Sequence, residues 1–218
     1  MIKKLILVRH GQSTYNLENR FTGWKDVDLT EKGKKEAVYG GVILRKNNIV
    51  PDIAYTSNLK RAQNTLSIIL NEMNIEIPIL KNIALNERDY GSLIGQNKDE
   101  AALEFGADQV QIWRRSYDTP PPNGESLKMT CERVLPYLKS TILASFSDYN
   151  NILISAHGNS IRAIVMELLN YNSEEILKTE IGWCEPWVFN FENNKIIDFK
   201  IYHPDNETNS KLPKIPTF

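Results

Sequence analysis

Leu5-Ile6-Leu7-Val8-Arg9-His10-Gly11-Gln12-Ser13 and Ile152-Leu153-Ile154-Ser155-Ala156-His157-Gly158-Asn159-Ser160 are the two stretches that decide how this chain folds. Each opens on an apolar run of about four residues and ends in His-Gly, too short for a helix and closed by glycine, which reads as a buried strand. Each strand therefore delivers a histidine at its C-terminal end. In an open α/β sheet that edge is where ligands bind. A single His-Gly at a strand end is ordinarily just a turn, but two of the three histidines stand in the same frame, which favours one shared site.

Outward from the first stretch, Gln12 to Asp28 is a polar loop holding Asn16, Arg20, Thr22-Gly23 and Trp24, of a length that is often functional. Leu29-Thr30-Glu31-Lys32 predicts an N-cap and a helix to about Leu44, interrupted by Gly33, Gly40 and Gly41. Ile53–Thr56 reads as a second strand. Ser57 is expected to cap the following helix, which carries Leu59, Leu66, Ile69 and Leu70 on one face and Arg61 in its first turn. A short edge strand is expected at Ile77–Leu80, where proline is tolerated.

Helical sequence then runs from about Lys98 to Phe105 and on toward Trp113, before the stiff turn Thr119-Pro120-Pro121-Pro122-Asn123-Gly124. A long helix is expected from Glu125, kinked or broken at Pro136. After the second His-Gly strand, Asn159 or Ser160 is expected to cap a helix whose stripe is Ile161, Ile164, Val165, Leu168 and Leu169. A short helix within Asn170–Thr179 and a hairpin about Glu192-Asn193-Asn194 follow. Alternating strands and helices predict a three-layer α/β/α fold with a mainly parallel sheet. Residues 1–202 read as a single domain and 203–218 as a flexible C-terminal tail.

Composition narrows the class. With 218 residues, 41% hydrophobic and 24% charged, the chain can bury a sizeable core, and a net charge of −1 argues against general nucleic-acid binding. Cys131 and Cys184 stand far apart with no ligand spacing, so neither a zinc site nor a disulfide framework is indicated and a cytoplasmic location is the simplest. The start reads as a strand rather than a signal peptide, and no apolar stretch approaches the ~18 residues of a membrane span.

The strand-end and loop candidates are Arg9, His10, Arg61, Glu87, Lys98, Arg114, Arg115 and His157. Two imidazoles, one carboxylate and several cations, without a metal-ligand cluster, suit phosphoryl transfer through histidine. Charge in that transition state spreads over the equatorial oxygens, so guanidinium groups could take over the work of magnesium. Taken singly, each arginine reads as a solvated surface residue and Glu87 as a surface carboxylate; their joint occurrence carries the argument.

Leu7 through Ser13 with Asn16, then Phe21-Thr22-Gly23-Trp24 and Asp26, resembles the signature of cofactor-dependent phosphoglycerate mutases in the histidine phosphatase superfamily. Leu85-Asn86-Glu87-Arg88-Asp89-Tyr90-Gly91, Trp113-Arg114-Arg115-Ser116-Tyr117 and Ser155–Ser160 with Arg162-Ala163 extend the resemblance, which runs from Met1 to about Leu177. It implies a histidine phosphatase-like fold and a glycolytic and gluconeogenic isomerase that interconverts 3-phosphoglycerate and 2-phosphoglycerate. The enzyme would be primed by 2,3-bisphosphoglycerate without a metal.

By the same resemblance His10 is the phosphorylated nucleophile, and Arg9, Arg61 and His157 hold the phosphoryl group. Glu87 is the general acid and base. Ser13, Asn16, Thr22, Gly23, Tyr90, Lys98, Arg114, Arg115, Gly158 and Asn159 join Arg9, His10, Arg61 and Glu87 in binding substrate. A lid over the pocket is also implied, since the intermediate must turn over without losing phosphate to water.

Two departures stand out. Pro122-Asn123-Gly124-Glu125-Ser126 closes directly where relatives often carry a longer insert that influences subunit contacts, so a homo-oligomer is left open. Glu180-Ile181-Gly182-Trp183-Cys184-Glu185-Pro186-Trp187 differs from the usual Gly/Pro-rich segment. The rival readings are a phosphomonoesterase on the same scaffold, with water accepting the phosphoryl group, and a non-catalytic phospholigand-binding protein.

Overall fold

Leu5, Leu7, Ile152 and Ile154 face one hydrophobic cluster while Ile6, Val8 and Leu153 face another, so the two strands that carry the histidines are buried on both sides. The computed structural model describes residues 2–203, and of the tail expected over 203–218 all but His203 lies outside the described residues. In chain order the elements are β1 (Lys3–Arg9), α1 (Thr14–Leu17), α2 (Glu31–Lys46), β2 (Ile53–Thr56), α3 (Lys60–Met73), β3 (Ile79–Lys81), α4 (Lys98–Phe105) and α5 (Ala107–Arg115). They continue with α6 (Leu127–Tyr137), β4 (Asn151–Ala156), α7 (Gly158–Leu169), α8 (Ser173–Lys178), β5 (Trp187–Glu192) and β6 (Lys195–Ile201).

The strands form one sheet in the order β3-β2-β4-β1-β5-β6, with β1, β2, β3 and β4 mutually parallel and β5 antiparallel to both β1 and β6. Residues of α6 and α7 pack on one face and residues of α2 and α3 on the other, giving the three-layer α/β/α arrangement. β1 and β4 are immediate neighbours. Their register pairs Arg9 with Ala156, and the amide N–H of His10 donates to the Ala156 carbonyl at 3.0 Å. His10 and His157 thus leave adjacent parallel strands one residue beyond the last paired position, which brings them together.

Most expected elements are present, with local differences; β3 starts at Ile79, so Ile77 and Pro78 precede the edge strand rather than lying in it. The polar loop after His10 contains α1, whose N-cap Ser13 exchanges bonds with Asn16. Ser57 does not cap α3: the N-cap is Leu59 without a side-chain cap, and Asp26 instead accepts the Lys60 N–H at 2.7 Å. Likewise His157, not Asn159 or Ser160, is the N-cap of α7, and Asn159 already lies in its first turn. Pro136, by contrast, marks the end of the regular helix as expected: α6 stops at Tyr137 and the chain runs on through a π-helical turn over Leu138–Ile142. Proline lacks the N–H that would bond the Glu132 carbonyl one turn back, which weakens the regular helix at its end.

Candidate active site

The cleft lies at the C-terminal edge of β1 and β4. His10 is 2% exposed, and its Nδ1 lies 2.6 Å from the Gly11 carbonyl. A carbonyl can only accept, so Nδ1 carries the proton and Nε2 keeps its lone pair. Nε2 in turn accepts the Nε–H of Arg61 at 3.3 Å. Burial first, then Arg61 and Arg9, hold the His10 pKa well below the ordinary histidine value. The ring is therefore a neutral imidazole near neutral pH, with a lone pair on Nε2 able to act as a nucleophile.

Arg61 is 1% exposed and fixed by two further bonds, to the Lys25 carbonyl at 3.0 Å and the Gly23 carbonyl at 2.8 Å. Burial pushes its pKa down to about 10, which leaves it charged at neutral pH. The Gly23 carbonyl is presented from a left-handed backbone (φ 48°), a conformation glycine adopts without strain.

His157 is fully buried with its ring centroid 5.0 Å from that of His10. Its Nε2 lies 2.7 Å from the Ser57 hydroxyl, and its Nδ1 is buried without a partner. Burial, then Arg61, His10 and Arg9, lower its pKa well below the ordinary value. The Ser57 hydroxyl pairs with Nε2, and Nδ1 is the ring nitrogen left without a partner.

Arg9 is anchored by Nη1 on the Ile181 carbonyl at 2.8 Å and lies 5.5 Å from the Trp183 ring, while its buried Nε has no partner. Buried donors of this kind are costly unless something accepts from them. Arg9 Nε and His157 Nδ1 are thus two buried polar atoms without partners close to His10 in the fold.

Glu87 is 8% exposed, with Oε1 accepting the amide N–H of Asn159 at 3.0 Å and of Arg88 at 2.8 Å. Gly158 lies against both groups: a Cβ there would make ordinary contact, 3.6 Å from the Arg9 guanidinium and 3.7 Å from Oε2 of Glu87. Arg133 braces the same loop, donating to the carbonyls of Ala84 (2.8 Å) and Glu87 (3.3 Å) while paired with Glu125 at 2.8 Å.

Farther out, α4 and α5 supply Lys98, Arg114 and Arg115 to the same cleft. Burial and then Arg114 lower the Lys98 pKa. Tyr90 receives the Arg88 Nη2–H on its hydroxyl at 2.9 Å, and although burial works to raise its pKa, Arg88 brings it down overall. Asn16 and Thr22 also line the cleft. Asn16 accepts from Ser13 through Oδ1, which leaves its NH2 as a donor.

All the residues expected to bind substrate line this cleft except Ser13, which is fully buried and serves as the cap of α1. His157 lies beneath the lining. Five residues at the cleft or just beneath it were not among the expected site residues: Ser57, Arg20, Phe21, Arg162 and Glu180. Arg162 had a signal, since it lies three residues after Asn159 and so on the same face of α7. Its pKa is pushed down to about 10 by burial. Among the described residues no group of three or more His, Cys, Asp or Glu is placed to hold a metal ion, and no helix is long and apolar enough to cross a membrane.

Residues 5–198 match the histidine phosphatase superfamily (branch 1). The chain is 52% identical over 198 residues to the 2,3-bisphosphoglycerate-dependent phosphoglycerate mutase of Bradyrhizobium diazoefficiens, covering 90% of this chain and 96% of that protein. It is 47% identical over 212 residues to the protein of the same name from Cytophaga hutchinsonii, covering 97% and 95%. Among solved structures, the alpha-ribazole phosphatase of Shigella flexneri superposes with a TM-score of 0.78 at 21% identity, covering 98% of this chain and 100% of that one. That likeness concerns the fold.

Proposed function

Because this chain belongs to branch 1 of the histidine phosphatase superfamily, we propose that His10 carries the phosphoryl group in its reaction. The chain is a 2,3-bisphosphoglycerate-dependent phosphoglycerate mutase, an isomerase that interconverts 3-phosphoglycerate and 2-phosphoglycerate. The observation that carries the assignment of His10 is its paired bonding, Nδ1–H to the Gly11 carbonyl and Nε2 facing Arg61.

The residues fit a bisphosphorylated three-carbon acid. Two buried polar atoms, Arg9 Nε and His157 Nδ1, lack partners close to His10, and Lys98, Arg114 and Arg115 also line the cleft. When bound, 2,3-bisphosphoglycerate supplies the phosphoryl group that primes His10. In the transfer, Nε2 of His10 bonds to phosphorus as the P–O bond to the substrate oxygen breaks. Nδ1–H stays on the Gly11 carbonyl throughout, stabilising the charge that develops on the ring.

Arg9, Arg61 and His157 meet the equatorial oxygens, where preorganised donors act most strongly. Arg61 exchanges its bond to Nε2 for one to oxygen. Glu87 protonates the departing alkoxide and, in the return step, removes the proton from the hydroxyl that takes the phosphoryl group from Nε2. Two backbone N–H bonds to Oε1 fix Glu87 and leave Oε2 to handle the proton.

Asn16, Thr22, Gly23, Tyr90, Gly158 and Asn159 complete the binding surface, with bidentate contacts to carboxylate and phosphate from Arg114 and Arg115. The catalytic domain spans 1–202, acts on free phosphoglycerates and works in the cytoplasm. A coupled assay with and without 2,3-bisphosphoglycerate, in the presence of chelator, tests the reading. Stimulated formation of 2-phosphoglycerate is expected. Fast hydrolysis of a chromogenic phosphate ester with no 2-phosphoglycerate formed would overturn it in favour of a phosphomonoesterase.

A further inference from the structure

Glu180 is a carboxylate set among the cations that receive the substrate. Its Oε1 lies 3.3 Å from Nη1 of Arg115 and its Oε2 3.4 Å from Nη2 of Arg162, and all three residues line the cleft. The two arginines are held differently. Arg162 is 12% exposed and anchored independently, by Nε on the Thr179 carbonyl at 3.0 Å and by Nη1 on Asn159 Oδ1 at 3.4 Å. Arg115 is 38% exposed, and its one ion pair among the described residues is with Glu180.

The carboxylate itself is 47% exposed, and an ion pair in that setting is weak enough for a ligand anion to displace. The backbone around it is fixed, since the next residue, Ile181, holds Arg9 through its carbonyl and Trp183 lies against the Arg9 guanidinium. Glu180 therefore stays at the cleft whether or not its side chain is paired.

We propose that Glu180 is an internal competitor: it occupies Arg115 in the free enzyme and must yield that guanidinium to the incoming anion, so it sets the affinity for substrate. The identity of the ligand rests on the phosphoglycerate reading above; the competition itself rests on the geometry of Glu180, Arg115 and Arg162. Entry of substrate exchanges one carboxylate–guanidinium pair for another, and the displaced Glu180 remains a negative charge near the bound anion. Both effects weaken binding, and neither touches the atoms that react. Glu180 is thus an affinity-determining residue rather than a catalytic one.

Glu180→Gln separates the possibilities. By isothermal titration the variant should bind 3-phosphoglycerate roughly threefold to tenfold more tightly than the wild type, as expected for removing one half-exposed charge. KM should fall by a similar factor with kcat changed less than about twofold. Glu180→Asp, which keeps the charge on a side chain one methylene shorter, should fall between the wild type and Glu180→Gln. Unchanged or weaker binding by Glu180→Gln would show that Glu180 merely braces the arginines and would overturn the proposal. Equal behaviour of Glu180→Asp and Glu180→Gln would overturn it as well. The titration reports on Glu180 even if the wild type makes no 2-phosphoglycerate, so the two readings fail separately.

Discussion

The Nε–H of Arg61 points at the lone pair of His10 Nε2 across 3.3 Å, while the opposite nitrogen of the same ring sits 2.6 Å from its neighbour's carbonyl. One ring thus has its acceptor nitrogen against a buried cation and its donor nitrogen against a backbone dipole. Protonating Nε2 would place a second positive charge against Arg61 in a buried site. Burial first, and then this guanidinium, therefore keep the His10 ring neutral.

A pH dependence of stability follows. His10 and His157 have pKa values well below 6.5 in the folded protein, chiefly through burial, whereas the unfolded chain titrates near 6.5. Between those values the unfolded state binds more protons. Stability is then complete above about pH 6.5 and falls as pH drops below it, by up to about 1.4 kcal/mol per pH unit for each histidine. Urea unfolding between about pH 7.5 and 5.5 should show this slope, and His157→Asn should flatten it. A wild-type stability that rises on acidification would contradict the neutral assignment.

Arg61→Lys tests the guanidinium geometry. A lysine cannot reproduce three planar bonds to His10, Gly23 and Lys25, so transition-state stabilisation is lost although the charge remains. kcat should fall by about 10²- to 10³-fold, the usual consequence of removing one preorganised donor. Near wild-type turnover would mean that charge alone suffices.

Glu87→Gln keeps an oxygen for the Asn159 and Arg88 amides but cannot transfer a proton. Mutase kcat should drop by about 10²- to 10⁴-fold with the fold intact. Circular dichroism together with the coupled assay distinguishes this from unfolding, and retention of more than a tenth of the activity would assign the proton relay elsewhere.

Arg133 acts at one remove. Its guanidinium lies 5.5 Å from the Trp24 ring and donates to the carbonyls of Ile83, Ala84, Asn86 and Glu87, so it fixes the strand-to-loop segment that ends at the acid. Arg133→Ala should lower both stability, by about 2–3 kcal/mol since Glu125 loses its ion-pair partner and the loop carbonyls lose their donor, and kcat, by roughly tenfold. Arg133→Lys should recover part of the stability and little of the rate. Full activity in Arg133→Ala would show that Glu87 does not depend on this brace.

How much of this was legible in the sequence depended on range. The two histidine strands were readable because apolar runs closed by glycine are local signals, and adjacency of β1 and β4 turned equal placement into contact. Ser57 was misread because a serine ahead of a helix satisfies the N-cap pattern, whereas its hydroxyl meets His157, a hundred residues away. Glu180 lay in a segment visibly different from its relatives, but nothing local says that it faces Arg115 and Arg162. Glycines misled in the same way: Gly33 and Gly41 read as interruptions of α2, yet each marks a close approach to another segment.

Gly33→Ala makes that last point testable. A Cβ at Gly33 would lie 2.1 Å from the Gln12 carbonyl oxygen, and the reciprocal Cβ at Gly11 would lie 2.2 Å from the Gly33 carbonyl. Alanine would otherwise favour the helix by up to about 1 kcal/mol. The clash is with backbone that accepts the Thr30 N–H at 2.9 Å and cannot swing aside, so overpacking, about 1–3 kcal/mol, outweighs the gain. Any relief must shift Gly11, whose carbonyl sets the His10 tautomer. Gly33→Ala should therefore lower Tm by several degrees and kcat by roughly tenfold, while Lys34→Ala, at the next position of the same helix, should leave kcat unchanged. A stabilised, fully active Gly33→Ala enzyme would show that this contact does not govern His10.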